Sequence, residues 1–112
     1  MAFQNVIVNV LIPATAVTGS FVTLYTTPAS VRTFLKCIDI CNTTGGALTL
    51  FISLVASGGT AGTANALYSG ISVSANGVLQ WRGLQILPAG TFISVKSTTT
   101  GLTITASGGE AT

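Results

Sequence analysis

The chain has 112 residues, the size of a single domain with one core. Hydrophobic residues make up 48% of it and charged residues 5%, four basic and two acidic, for a net charge of +2. Charge this thin and scattered gives no electrostatic footprint for nucleic acid or an anionic membrane surface, and no apolar run approaches the roughly 18 residues of a membrane helix.

A soluble surface ordinarily carries about 25–35% charged residues. A chain so far below that is expected to hide much of its outside inside an assembly. Its first residues, Met1-Ala2-Phe3-Gln4-Asn5, lack the basic leader and long apolar block of a secretory signal, which predicts synthesis and retention in the cytosol.

The first run, residues 4–12, is rich in Val and Ile and ends at Pro13, which has no amide hydrogen to give a sheet ladder. Residues 1–12 are therefore expected to form an N-terminal strand or arm. Pro13-Ala14-Thr15-Ala16 would be the hinge and residues 13–112 a β-sandwich domain. A second run covers residues 21–26 and is stopped by Pro28.

The third run, residues 31–41, is the longest. One face reads Val31, Leu35, Cys37, Cys41 and the other Phe34, Ile38, Ile40, so a bend or bulge near Asp39 is expected to let it serve the core throughout. On a straight strand Cys37 and Cys41 stand about 13 Å apart, too far for a disulfide, whose Cα atoms lie roughly 4.4–6.8 Å apart. With no histidine in the chain and only Asp39 nearby, they do not make a metal or redox pair either, and are read as two buried small hydrophobes. Asn42-Thr43-Thr44-Gly45-Gly46 follows as a hairpin turn; it also fits the glycosylation sequon, and is read as turn chemistry.

In residues 47–55, Leu48, Leu50, Ile52 and Leu54 alternate with Thr49, Phe51 and Ser53, the pattern of a half-buried antiparallel strand. Residues 57–65 are too small and polar to pack and are read as one long exposed loop, with no phosphate-loop chemistry following its glycines. Then come residues 70–75, an Asn76-Gly77 hairpin turn, residues 78–82 and 84–87, and a Pro88-Ala89-Gly90 turn. Residues 91–97 point Ile93 and Val95 inward, and residues 102–106 do so with Leu102, Ile104 and Ala106. The pattern predicts an all-β fold, an antiparallel β-sandwich or jelly roll of seven to eight strands.

Catalytic chemistry has little to work with. There is no histidine, and the two carboxylates are Asp39 in mid-strand and Glu110 in a Ser-Gly-Gly-Glu-Ala-Thr tail. No spacing selects a serine–lysine couple. The chain is read as non-enzymatic, without cofactor or metal.

Contact with other protein is the better use of its side chains. Trp81-Arg82 has the composition of a binding hot spot, although the simpler reading is that Trp81 alternates with Leu79 into the core while Arg82 caps a strand end. Phe51 and Val55 fall on the polar face of their strand, and Phe3 and Phe21 lie near strand starts. The candidate interface comprises Phe3, Val6, Val8, Val10, Phe51, Trp81 and Arg82. Tyr25, Tyr68 and Trp81 would serve a carbohydrate site if they shared one exposed face.

The order Val31-Arg32-Thr33-Phe34-Leu35-Lys36-Cys37-Ile38-Asp39-Ile40-Cys41-Asn42-Thr43-Thr44-Gly45, then Leu48-Thr49-Leu50-Phe51-Ile52, Gly62-Thr63-Ala64-Asn65-Ala66-Leu67 and Leu87-Pro88-Ala89-Gly90-Thr91, resembles a group of small tailed-bacteriophage virion proteins. Thr91 departs from that group, which often carries an acidic residue there. The resemblance spans residues 31–106 and implies a compact β-sandwich that forms trimers on the virion. The expected function is a trimeric capsid decoration protein, or cement protein. Its partners would be its own copies and the major capsid protein or another virion protein, on the capsid exterior, with no nucleic acid and no membrane. The alternative is a tail or adsorption component that binds a host surface carbohydrate.

Overall fold

The computed structural model describes residues 6–112. Eight strands run through them: β1 (Val6–Val17), β2 (Val22–Thr26), β3 (Arg32–Asn42), β4 (Leu48–Val55), β5 (Ala66–Val73), β6 (Val78–Leu87), β7 (Phe92–Ser97) and β8 (Leu102–Ala111). A single 3-10 turn, Thr63–Asn65, interrupts the loop before β5. They form two four-stranded sheets, in the orders β1-β8-β3-β6 and β2-β7-β4-β5, with every pairing antiparallel.

The pairings are nested: β4 with β5, β3 with β6, β2 with β7 and β1 with β8. That is one long hairpin rolled so that successive strands alternate between sheets, the jelly-roll solution to the sandwich. Among the described strands only β4 and β5 are neighbours in both sequence and sheet. Asn42–Gly46 and Asn76-Gly77, read from sequence as hairpin turns, instead carry the chain from one sheet to the other. Asn76 is left-handed there (φ 53°), which its short side chain tolerates.

Leu35, Ile38 and Ile40 of β3 meet Leu50 and Ile52 of β4, Ile93 of β7 and Ile104 of β8 in the core, each fully buried. The expected bulge in β3 exists, but it lies between Leu35 and Cys37. It turns Thr33 and Leu35 inward before it and Ile38, Ile40 and Asn42 inward after it. The same switch turns both cysteines away from the core: Cys37 is half-buried and Cys41 exposed, and the reading of two buried thiols is corrected. At this bulge β8 passes so close that a Cβ on Gly108 would run into the Phe34 carbonyl oxygen, which is why a glycine stands there.

Three other boundaries moved. β1 does not stop at Pro13: its register with β8 shifts between Ile12 and Thr15, and Thr15, Ala16 and Val17 pair again with Ile104, Thr103 and Leu102. The segment read as a hinge is a bulge within a paired strand, because a bulge tolerates the missing amide hydrogen. The register of β4 with β5 shifts between Ile52 and Ser53, so Val55 is buried and Leu54 is the half-buried one. The stretch read as a terminal tail belongs to β8, and places Glu110 inside the sheet.

The Asn42 corner shows why the turn sequence is what it is. Asn42 is 1% exposed. Its amide nitrogen donates to the carbonyls of Gly46 (2.9 Å) and Val73 (3.1 Å), and its Oδ1 accepts from the Thr44 amide (2.9 Å) and hydroxyl (2.7 Å). All four hydrogen-bonding positions of the side chain are filled. The Asn42-Thr43-Thr44 sequon is fold chemistry.

Candidate interaction surface

Residues opposed in an antiparallel register share a face, so the pairings place side chains directly. On the outside of the first sheet, Val8 pairs with Gly109, Gly109 with Phe34, and Phe34 with Ile86, an apolar row across all four strands. Val6 and Val10 flank Val8 on the same side of β1, and Leu84 flanks Ile86 on β6. Gly109 is the floor: a Cβ there would lie 3.7 Å from Val6 and 3.9 Å from Phe34. The ridge of Val6 and Val8 and the wall of Phe34 and Leu84 enclose a shallow groove of about 450 Å³, with Lys36 at its margin.

Around the half-buried Phe34, the other side chains of this face are open to water. Val8 is 86% exposed, Val6 61%, and Val10, Leu84 and Ile86 each more than half. A contiguous apolar face of this kind marks an interaction surface, whereas single scattered apolar residues do not. β1 is also a sheet edge and carries no charge in its twelve residues. Charged side chains are a usual guard against pairing with another chain at an edge.

The inner side of the same corner is polar and partly buried. The Tyr25 hydroxyl, from β2, donates to Glu110 Oε2 at 2.6 Å, and Thr33 Oγ1 of β3 lies 2.7 Å from the same phenol oxygen. Asn9 Nδ2 donates to Glu110 Oε1 at 3.4 Å. Burial first, and then the hydrogen bond to Glu110, push the Tyr25 phenol from 10.0 up to about 12. Two strand pairs in different sheets are clasped through one carboxylate.

On the outside of the second sheet, Phe51 pairs with Ser69 on one side and Lys96 on the other. Lys96 Nζ stands 4.9 Å from the centre of the Phe51 ring and 5.2 Å from that of Phe21. A cleft of about 130 Å³ opens beside this stack, walled also by Tyr68, Ser53 and Thr63.

The sequence-based candidates are therefore divided. Val6, Val8, Val10 and Arg82 lie on the outer face of the first sheet, and Phe51 on that of the second. Trp81 turns inward beside Ile38 and packs partly buried on the core, while Arg82 is exposed, as the plainer reading of that pair had it. Phe3 lies outside the described residues. Tyr25, Tyr68 and Trp81 do not share a face: β2 and β5 are opposite edges of one sheet, and β6 belongs to the other.

No family model matches the chain, and no curated protein does. Among solved structures it is similar to infectious bursal disease virus, Gx strain, at a TM-score of 0.47 and 13% identity, over 96% of this chain and 30% of that one. It is also similar to the Gt strain of that virus, at 0.37 and 13%, over 98% and 32%. The chain thus spans about a third of the length of each, and likeness at this level carries no weight for function.

Phe34, Leu84, Ile86 and Gly109 were missed as residues of this outer face. Apolar residues in alternation read as core-facing, and only the bulge at Leu35 and Cys37 reveals that Phe34 faces out. Among the described residues no group of three His, Cys, Asp or Glu can hold a metal ion, and no helix is long and apolar enough to cross a membrane.

Proposed function

We propose that this chain is a non-enzymatic structural protein of a virion, a homotrimeric capsid decoration protein that binds the major capsid protein on the capsid exterior and stabilises the shell. The observation that carries the reading is the outward apolar row Val8–Gly109–Phe34–Ile86, exposed at Val8 and Ile86 and half-buried at Phe34, flanked by exposed Val6, Val10 and Leu84.

Apolar area removed from water is worth about 25 cal/mol per Å², so leaving this face wet forgoes the main favourable term in association. A stable interface buries about 1,600 Å² in total, part of which this face supplies. The net affinity is much smaller than the gross term, because lost rigid-body freedom opposes it. Double-sheet jelly rolls serve viral capsids, lectins and cupins alike, so the fold permits the role without choosing it. The choice comes from the near-absence of charge and from the open edge at β1, whose residues 6–12 act as the arm toward a neighbour.

The test is sedimentation of the purified chain beside Val8→Lys, followed by rebinding to particles stripped of the protein. The wild type is expected to sediment as a trimer and rebind, while Val8→Lys, whose position is already solvated, keeps its β-sheet circular dichroism and loses both. A wild-type chain that stays monomeric at high concentration and ignores the particles overturns the proposal.

A further inference from the structure

The cleft beside Lys96 is not used by the packing role, since it opens on the other sheet. Its components come together through register. Phe51 and Lys96 are direct cross-strand partners, and Phe21 precedes Val22, whose partner is Val95, so the ammonium is held between two rings. Tyr68, Ser69 and Thr63 line the same space.

The charge distribution matters more than the geometry. The chain has two side-chain carboxylates, Asp39 and Glu110, and both sit in the first sheet, on β3 and β8. Glu110 is engaged by Tyr25 and Asn9. Lys96 therefore faces outward with ring faces beside it and no carboxylate of the second sheet to meet it. The rings attract the cation, yet they leave its N–H donors open to an anionic acceptor. Held between them, the lysine also has less rotamer freedom left to lose when a ligand arrives.

A single cation without a nest of backbone amides suits a carboxylate better than a phosphate, which is usually gripped by several donors. At about 130 Å³ the cleft is smaller than the roughly 300–1,000 Å³ of sites for larger ligands, and admits one ring. Aromatic walls and hydroxyls beside a cation match the apolar face, hydroxyls and carboxylate of an acidic sugar. We propose that the Phe21–Lys96–Phe51 cleft binds one carboxylate-bearing sugar unit, a uronic or sialic acid, of a surface glycan.

Saturation-transfer NMR titrations with galacturonic acid, N-acetylneuraminic acid and galactose test this on the wild type, Lys96→Gln and Phe51→Leu. At least one acidic sugar is expected to bind in the millimolar range and galactose about tenfold more weakly, the equivalent of about 1.4 kcal/mol for the charge-assisted contact. Lys96→Gln, with an unchanged melting temperature, is expected to erase the preference for the acid, and Phe51→Leu to weaken every sugar. If Lys96→Gln fails to fold, Phe51→Leu beside Gly45→Ala, an exposed substitution outside the cleft, still separates a local site from a general effect. Absence of saturation transfer from either acid, equal binding of galactose, or binding that survives loss of the Lys96 charge overturns the assignment.

Discussion

The Tyr25 hydroxyl donates to Glu110 Oε2 across 2.6 Å and thereby fastens the edge strand β2 of one sheet to the inner strand β8 of the other. Hydrogen bonds to an ionised group are worth about 1.5–3 kcal/mol, more than a neutral pair. Tyr25→Phe removes that bond and leaves the buried Thr33 hydroxyl without its partner at 2.7 Å. It is expected to destabilise the fold by about 1.5–3 kcal/mol and to lower Tm by several degrees in calorimetry, whereas an exposed substitution such as Gly45→Ala stays within about 0.5 kcal/mol.

The same phenol makes stability sensitive to alkali. Its pKa is raised on folding, from 10.0 to about 12, so the neutral form is favoured in the native state. A group shifted upward contributes fully below its unfolded value and loses that contribution as pH climbs through the folded one. Denaturant midpoints are therefore expected to fall between about pH 10 and 12 more steeply for wild type than for Tyr25→Phe. Parallel curves for the two proteins would contradict the clasp.

Asn42→Ala is expected to be among the most damaging polar substitutions. It strips donors from the Gly46 and Val73 carbonyls and an acceptor from Thr44, at about 1–3 kcal/mol for each buried group left unpaired. Asn42→Asp keeps the size and the acceptor and loses both donated bonds, so urea midpoints are expected to fall for both variants.

Gly108→Ala asks the β3 bulge to move, because the new methyl meets backbone at Phe34 and cannot be relieved by a side-chain rotation. Overpacking of this kind costs about 1–3 kcal/mol, and the change in β3 register is expected to appear as altered amide shifts for residues 34–37. At Gly45 the same substitution meets nothing within 4 Å, which makes it the control.

The strand content was legible because alternation of Leu48, Leu50 and Ile52, and of Leu102, Ile104 and Ala106, has period two whatever the topology. The sheet partners were not. Asn76-Gly77 signals a reversal of direction, and a reversal within a sheet looks the same in sequence as a step between sheets. Bulges hid the rest: one extra residue near Lys36 reverses which side of β3 is wet, and so conceals Phe34 as surface and Cys41 as solvent-exposed. Glu110 was invisible as a structural residue because Ser107-Gly108-Gly109 reads as a flexible tail, while those glycines are there for close backbone approach. The valines of β1 were legible as a strand, but their grouping with β6 on one outer face needed the register of β8 and β3 between them.

Nesting has a temporal consequence. Of the eight described strands β1 is synthesised first, yet its sheet partner is β8, the one synthesised last. Until β8 has been made those valines have no ladder to join, and a sticky, uncharged ribbon stays open. Closure must spread outward from the β4–β5 hairpin, so a nascent chain stalled before β8 would recruit chaperones through β1.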